Sequence, residues 1–157
     1  LRAELHVVLV KPQIPQNTGS ISRLCAATAT HLHLVGELGF SLADRYLKRA
    51  GLDYWPHVLL HRHATLDDCL AGAAPEQVAF YSSHGKAVYT AFRPPTDAWF
   101  VFGREADGLP ADLLAKETDR TYSIPILPVV RSLNLANAVS IVLYDALSQR
   151  GFAMGPP

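Results

Sequence analysis

The chain has 157 residues, 49% hydrophobic and 18% charged, which fits one globular domain, excludes intrinsic disorder as its main state and leaves little room for a second domain. No apolar run approaches the roughly 20 residues that span a bilayer, and the opening LRAELHVVLVKP has no small-residue cleavage site of the secretory kind. Formal net charge is zero, yet residues 1–65 hold seven Lys/Arg against four acids, a +3 front with six of the seven histidines, and the rest of the chain is −3.

Strand-like and helix-like runs alternate from end to end. Glu4–Val10 reads as a buried strand, followed by the Pro-punctuated loop KPQIPQN and a helix over Thr18–Thr30. Leu32–Val35 is a second strand. Ser41 caps a predicted helix through Arg49, with Asp44 near its positive end and Gly51 just past its C-terminus. His57–Leu60 and Val78–Tyr81 read as further strands, separated by a helix over Leu66–Ala71. Trp99–Phe102 is another strand and ends in the turn GREADGLP. A last strand at Tyr122–Ile124 precedes a helix from Ser132 to Gln149, closed by Gly151. This alternation, with continuous apolar strands, predicts an α/β domain: a mostly parallel sheet flanked by helices. One domain over 1–152 and a short tail at 153–157 are expected. Cys25 and Cys69 form no CxxC pattern and read as small buried hydrophobes in a reducing, cytoplasmic setting.

In open α/β sheets ligands collect at the carboxyl ends of strands, and three such ends carry unusual polar and glycine content. They are PQIPQNTGSISRLC, FGREADGLP, and the run from IPILPVVR into SLNLANAVSIVLY. The last helix is apolar on nearly every face, the mark of a buried helix. Asn134, Asn137 and Ser140 lie on one side of it, with Ser132 just before, either satisfying loop backbone or holding a polar ligand at the helix's positive end. Gly103 and Gly108 give the second segment its tight turn, and Glu105 between them can accept from amines or hydroxyls, including those of an adenosine. In the first segment Asn17 and Gly19 turn the chain into a helix, with Arg23 about one turn in.

No GxGxxG, GxxxxGK[ST] or GxSxG signature is present. His31-x-His33 and His61-x-His63 each place two imidazoles on one face of a strand, but no third ligand has matching spacing, and no metal is expected. Arg45, Lys48 and Arg49 share one helix face, a solvated surface or a phosphate contact.

Together, in this order and spacing, the three segments resemble the three motifs of the SPOUT methyltransferases, and most of all the short TrmL-like branch of tRNA ribose 2′-O-methyltransferases. The likeness covers nearly the whole chain. It implies a C-terminal trefoil knot, S-adenosylmethionine as methyl donor with S-adenosylhomocysteine as product, and no metal. It also implies a homodimer whose active site sits at the subunit interface, with the tRNA anticodon loop as substrate and the wobble nucleotide, position 34, as target. By motif, the catalytic positions are Asn17, Arg23, Glu105, Ser132 and Asn134. The implied cofactor positions are Tyr81, Ser82, Ser83, Gly103, Glu105, Ile124, Ser132, Leu133 and Asn137. Lys11, Arg23, Arg45, Lys48 and Arg49 are the expected RNA contacts. The chain departs from the pattern at Asp107, where relatives are often basic, and at Val129 and Val130, where they tend to be polar.

Methyl transfer to a ribose hydroxyl is an in-line displacement, in which positioning supplies much of the rate. Arginine keeps its proton under nearly all conditions, so Arg23 either deprotonates the hydroxyl in a desolvated pocket or holds the neighbouring phosphate while another group takes the proton. The alternatives are a related enzyme acting on ribosomal RNA and a non-catalytic knotted RNA-binding dimer.

Overall fold

The computed structural model describes residues 4–43 and 54–154. Among the described residues the chain forms seven strands and four helices. In chain order these are β1 (Glu4–Val10), α1 (Pro15–Thr28), β2 (His31–Val35), β3 (Leu59–His63), α2 (Leu66–Leu70), β4 (Val78–Tyr81), β5 (Ala87–Val88), β6 (Asp97–Phe102), α3 (Ala111–Lys116), β7 (Thr121–Ser123) and α4 (Leu135–Gln149). The strands form one sheet in the order β3-β2-β1-β6-β4-β7-β5. Every pairing in it is parallel.

β1 lies between β2 and β6, and Val7, Val8 and Leu9 are fully buried, as expected for an apolar strand covered on both faces. One face packs Val7, Leu9, Leu32, Leu34 and Phe100 under Ile21 and Cys25 of α1 and Val139 and Leu143 of α4. The other packs Val8, Val35, Phe80 and Val101 against Cys69 of α2 and Leu109.

The helices begin and end for local reasons. α1 starts three residues earlier than predicted, because Pro15 sits in the first turn, where its missing N–H costs nothing. It ends in Ala29 at φ 52°, a left-handed residue, with the Thr30 N–H returning to the Cys25 carbonyl. Thr65 Oγ1 caps α2 by accepting from the Asp68 N–H at 3.1 Å. α4 starts three residues later than predicted and ends, as expected, at the left-handed Gly151. The His57–Leu60 strand is displaced to Leu59–His63, because Pro56 bends Trp55–His57 into a 3-10 turn. β5 and α3 are too short to leave a periodic trace in the sequence. Ser41 Oγ accepts from the Ala43 N–H at 3.1 Å, but the helix predicted to run on through Arg49 lies outside the described residues.

One expectation is corrected. α4 is not buried all round: Leu135, Val139, Val142, Leu143, Ala146 and Leu147 face the core, while Asn137, Ile141, Tyr144 and Ser148 form an exposed stripe. A parallel stripe of Gln16, Ser20, Arg23 and Ala27 is exposed on α1, which packs against α4. No helix among the described residues is long and apolar enough to cross a membrane.

Leu143 is fully buried between α4 and the sheet. Leu143→Ala is expected to lower unfolding free energy by about 2–5 kcal/mol, read from urea denaturation, against less than half of that for Asn137→Ala on the exposed stripe.

Candidate functional site

Strand order changes direction on the two sides of β1, so the loops leaving β1, β6, β4 and β7 open into the crevice where ligands of α/β sheets collect. A cavity of about 710 Å³ lies there, of the size that holds small organic ligands. It is lined by the loops after β4, β6 and β7, by the first turn of α1 and by the start of α4.

The site is held together by the Glu105 carboxylate. Its Oε1 accepts from the Gln13 N–H at 2.8 Å, and its Oε2 from the Ile14 N–H at 2.7 Å and Asn17 Nδ2 at 3.3 Å. A carboxylate at the N-terminus of a 14-residue helix also meets the positive end of the helix dipole. Asn17 is buried and passes the connection on, its Oδ1 accepting from Asn134 Nδ2 at 3.0 Å. Asn134 in turn caps α4, its Oδ1 accepting from the Ala136 and Asn137 N–H groups at 2.9 and 3.3 Å. The three polar segments are thus one chain of hydrogen bonds, Glu105 to Asn17 to Asn134. Gln13 returns a bond in the other direction, its Oε1 accepting from the Ala106 N–H at 3.0 Å.

Close backbone packing shapes the cavity walls. A Cβ on Gly103 would lie 2.1 Å from the Gly108 carbonyl carbon, so only glycine lets these strands of the loop touch. A Cβ on Gly85 would lie 2.4 Å from the Tyr122 carbonyl carbon, and the Ser82 N–H donates to the Tyr122 carbonyl at 3.0 Å. The loop after β4 is therefore pressed onto β7. At the mouth, Arg104 and Asp107 form an exposed two-pronged ion pair. Asp107, one of the departures from the motif pattern, holds the neighbouring arginine. The other two, Val129 and Val130, stand exposed on the loop before Ser132.

Most of the predicted positions come together. Asn17, Tyr81, Ser82, Ser83, Gly103, Glu105, Ile124, Ser132, Leu133 and Asn134 all line the cavity. Three do not. Asn137 is exposed and outside the lining, since the first turn of α4 gives the cavity Leu135 and Ala138 and places Asn137 on the exposed stripe. Lys11 is exposed beyond the end of β1, and Arg23 lies on the exposed stripe of α1. Arg45, Lys48 and Arg49 lie outside the described residues. Glu105 has a further role that its residue type did not show: its oxygens accept from Gln13, Ile14 and Asn17, so it clasps the loops together. Gln13, His84, Ile126 and Arg131 escaped the sequence reading; the first clasps Ala106 and the others line the cavity. Gln13 could have been flagged as an amide beside the Pro-fixed start of α1.

The chain matches the SpoU rRNA methylase family over residues 4–144. It is 40% identical over 153 residues to a tRNA (cytidine(34)-2′-O)-methyltransferase of Burkholderia cenocepacia, covering 96% of this chain and 98% of that protein. A relative of the same name from Methylovorus glucosotrophus is 42% identical over 148 residues, covering 94% and 96%. Among solved structures, one concerned with the 2-OH methylation of C/U34 on tRNA superposes with a TM-score of 0.85 at 42% identity, covering 95% of this chain and 97% of its own. The SpoU methyltransferase AviRb of Streptomyces viridochromogenes, in complex with AdoMet, superposes with a TM-score of 0.79 at 25% identity, covering 96% of this chain and 59% of its own.

Glu105→Ala removes an acceptor for two backbone N–H groups and one amide. Bonds to a charged group contribute about 1.5–3 kcal/mol each, so a loss of at least that size is expected in urea unfolding. Glu105→Gln, which keeps one oxygen, is expected to lose less.

Proposed function

The chain belongs to the SpoU methylase family, and we propose that it transfers the methyl group of S-adenosylmethionine to the ribose 2′-hydroxyl of the wobble nucleotide, position 34, of tRNA. The observation that carries this is the Glu105–Asn17–Asn134 chain, which draws all three motif segments around one cavity. The names of the two tRNA methyltransferases and the AdoMet complex of AviRb support it.

The residues present suit the donor. Tyr81, Phe102, Ile124, Leu133 and Leu135 offer apolar walls for a purine, and the loop backbones at Ser82–Ser83 and Ser132–Leu133 offer polar edges. Bound S-adenosylmethionine supplies a methyl group made electrophilic by its sulfonium. Asn17 and Asn134 fix the start of α1 against the start of α4, and so set the cavity walls to which the target ribose must be aligned. The close backbone approach of Gly85, after β4, to Tyr122 of β7 supports the trefoil knot expected from the motifs, since it packs two segments remote in sequence with no side chain between them.

Arg23 stands about 9 Å along α1 from Asn17 at 1.5 Å per residue, on the exposed stripe. A permanently charged planar fork there suits the phosphate beside the target ribose. In our reading the protein is a homodimer, and Arg23 acts at a site completed by the partner subunit. The exposed Ile141 and Tyr144 of α4, 36% and 41% accessible, support that pairing, as does Phe152 at 53%.

Incubation with labelled S-adenosylmethionine and total tRNA, followed by mapping, should place the label on the ribose of nucleotide 34. Label in ribosomal RNA alone would move the substrate to that molecule. No label anywhere, with no S-adenosylmethionine binding by calorimetry, would leave a non-catalytic RNA-binding dimer. Arg23→Lys keeps the charge and loses the fork; a fall in kcat of about 10²–10³-fold is expected, with donor affinity unchanged. Tyr144→Asp should shift the sedimentation coefficient from dimer to monomer.

A further inference from the structure

Five of the seven histidines lie on one face of the sheet, at the edge away from the cavity: His6 on β1, His31 and His33 on β2, His61 and His63 on β3. Parallel register sets them side by side, His6 opposite His31 and His33 opposite His61. His33 is buried and engaged at both ring nitrogens, Nε2 with His6 Nδ1 at 2.9 Å and Nδ1 with His63 Nε2 at 2.9 Å. His6 stacks on Trp99 with ring centroids 3.8 Å apart. The third partner comes from another element: an imidazole nitrogen of His33, one of His63 and the Cys69 sulfur of α2 lie within 4.8 Å of one another.

We propose that His33, His63 and Cys69 form a binding site for a borderline-soft transition-metal ion, zinc(II) by preference, that ties β3 and α2 to β2. Two imidazoles and a thiolate are ligands that zinc takes in tetrahedral sites, with the fourth position left for solvent. Zinc bond lengths of about 2.0–2.3 Å set ligands roughly 3.5 Å apart, so side-chain rotations of about 1 Å close the triangle. Burial keeps His33 neutral, its pKa down at about 2, as a ligand must be. Cys69 is the harder ligand to prepare: burial pushes its thiol up to about 12. The ion takes the thiolate, and the proton leaves to solvent.

His6 completes the arrangement. With Nδ1 of His33 on the metal, its Nε2–H donates to His6 Nδ1, the outer bond that fixes the tautomer and orientation of a ligating imidazole. The site shares no residue with the cavity lining, so its occupancy and methyl transfer are separable.

The test is titration of tag-free, chelator-stripped protein with cobalt(II), then competition by zinc(II). The expected result is a thiolate-to-cobalt charge-transfer band that zinc removes at one equivalent per chain. Cys69→Ser should abolish the band, and His63→Ala should weaken binding by more than tenfold. His6→Phe, which keeps the stack on Trp99, should weaken it about 10–100-fold. His61→Ala, outside the triangle, should leave the band and affinity in place. Far-UV circular dichroism shows that each variant is folded; should His63→Ala fail to fold, His63→Gln takes its place. Absence of the band, a band unchanged in Cys69→Ser, or cobalt bound equally by wild type and the His63 variant overturns the proposal.

Discussion

The Glu105 carboxylate does what no residue on α1 itself does. α1 has no side-chain cap: Ile14 stands at its N-cap position and no acid lies in its first turn. Its leading N–H groups are orphan donors that must find an acceptor. The N–H of the N-cap residue Ile14 finds it 91 residues away, on the loop after β6, and the Gln13 N–H just before it shares the same carboxylate. A local cap would have made the helix self-sufficient and left the loops independent. A distant one makes the start of α1 and the loop after β6 a single unit, and through Asn17 and Asn134 adds the start of α4. The cavity therefore exists only when three segments remote in sequence are all in place.

This explains why so much of the site, and so little of its internal chemistry, was legible in the chain. Asn17, Glu105 and Asn134 stood out because polar residues beside buried strand and helix runs need partners. Their residue types could not say which partners. A carboxylate between two glycines is equally a ligand acceptor or a loop clasp, and the choice rests on a long-range contact that no spacing rule encodes. Asn137 falls outside the cavity lining for a related reason: periodicity groups it with Asn134, but Asn134 is the cap of α4 and not a helical residue, and Asn137 stands on the exposed stripe.

The strands were legible where burial is two-sided. β1, β4 and β6 are apolar runs because neighbours cover both faces. β3 is an edge strand, reads LLHRH, and its prediction slipped by two residues once Pro56 shortened the run. α4 taught the opposite lesson. Its exposed Ile141 and Tyr144 made it look like a wholly buried helix, since composition records that a surface is apolar but not which molecule covers it.

The sheet divides the chain's chemistry by strand order. On one side of β1, the strands β6, β4 and β7 end in the glycine-bearing loops of the cavity. On the other, the polar content of β2 and β3 lies on the sheet face as histidine rings stacked and bonded across the register. Spacing two residues apart put each pair on one face; only the sheet, by setting β1 beside β2 and β2 beside β3, turned pairs into a continuous layer. The neutral total charge hides this division. Six histidines and the +3 excess fall within residues 1–65; of that stretch, β2 and β3 build the half of the sheet that the cavity does not use, while α1 reaches the cavity and carries Arg23.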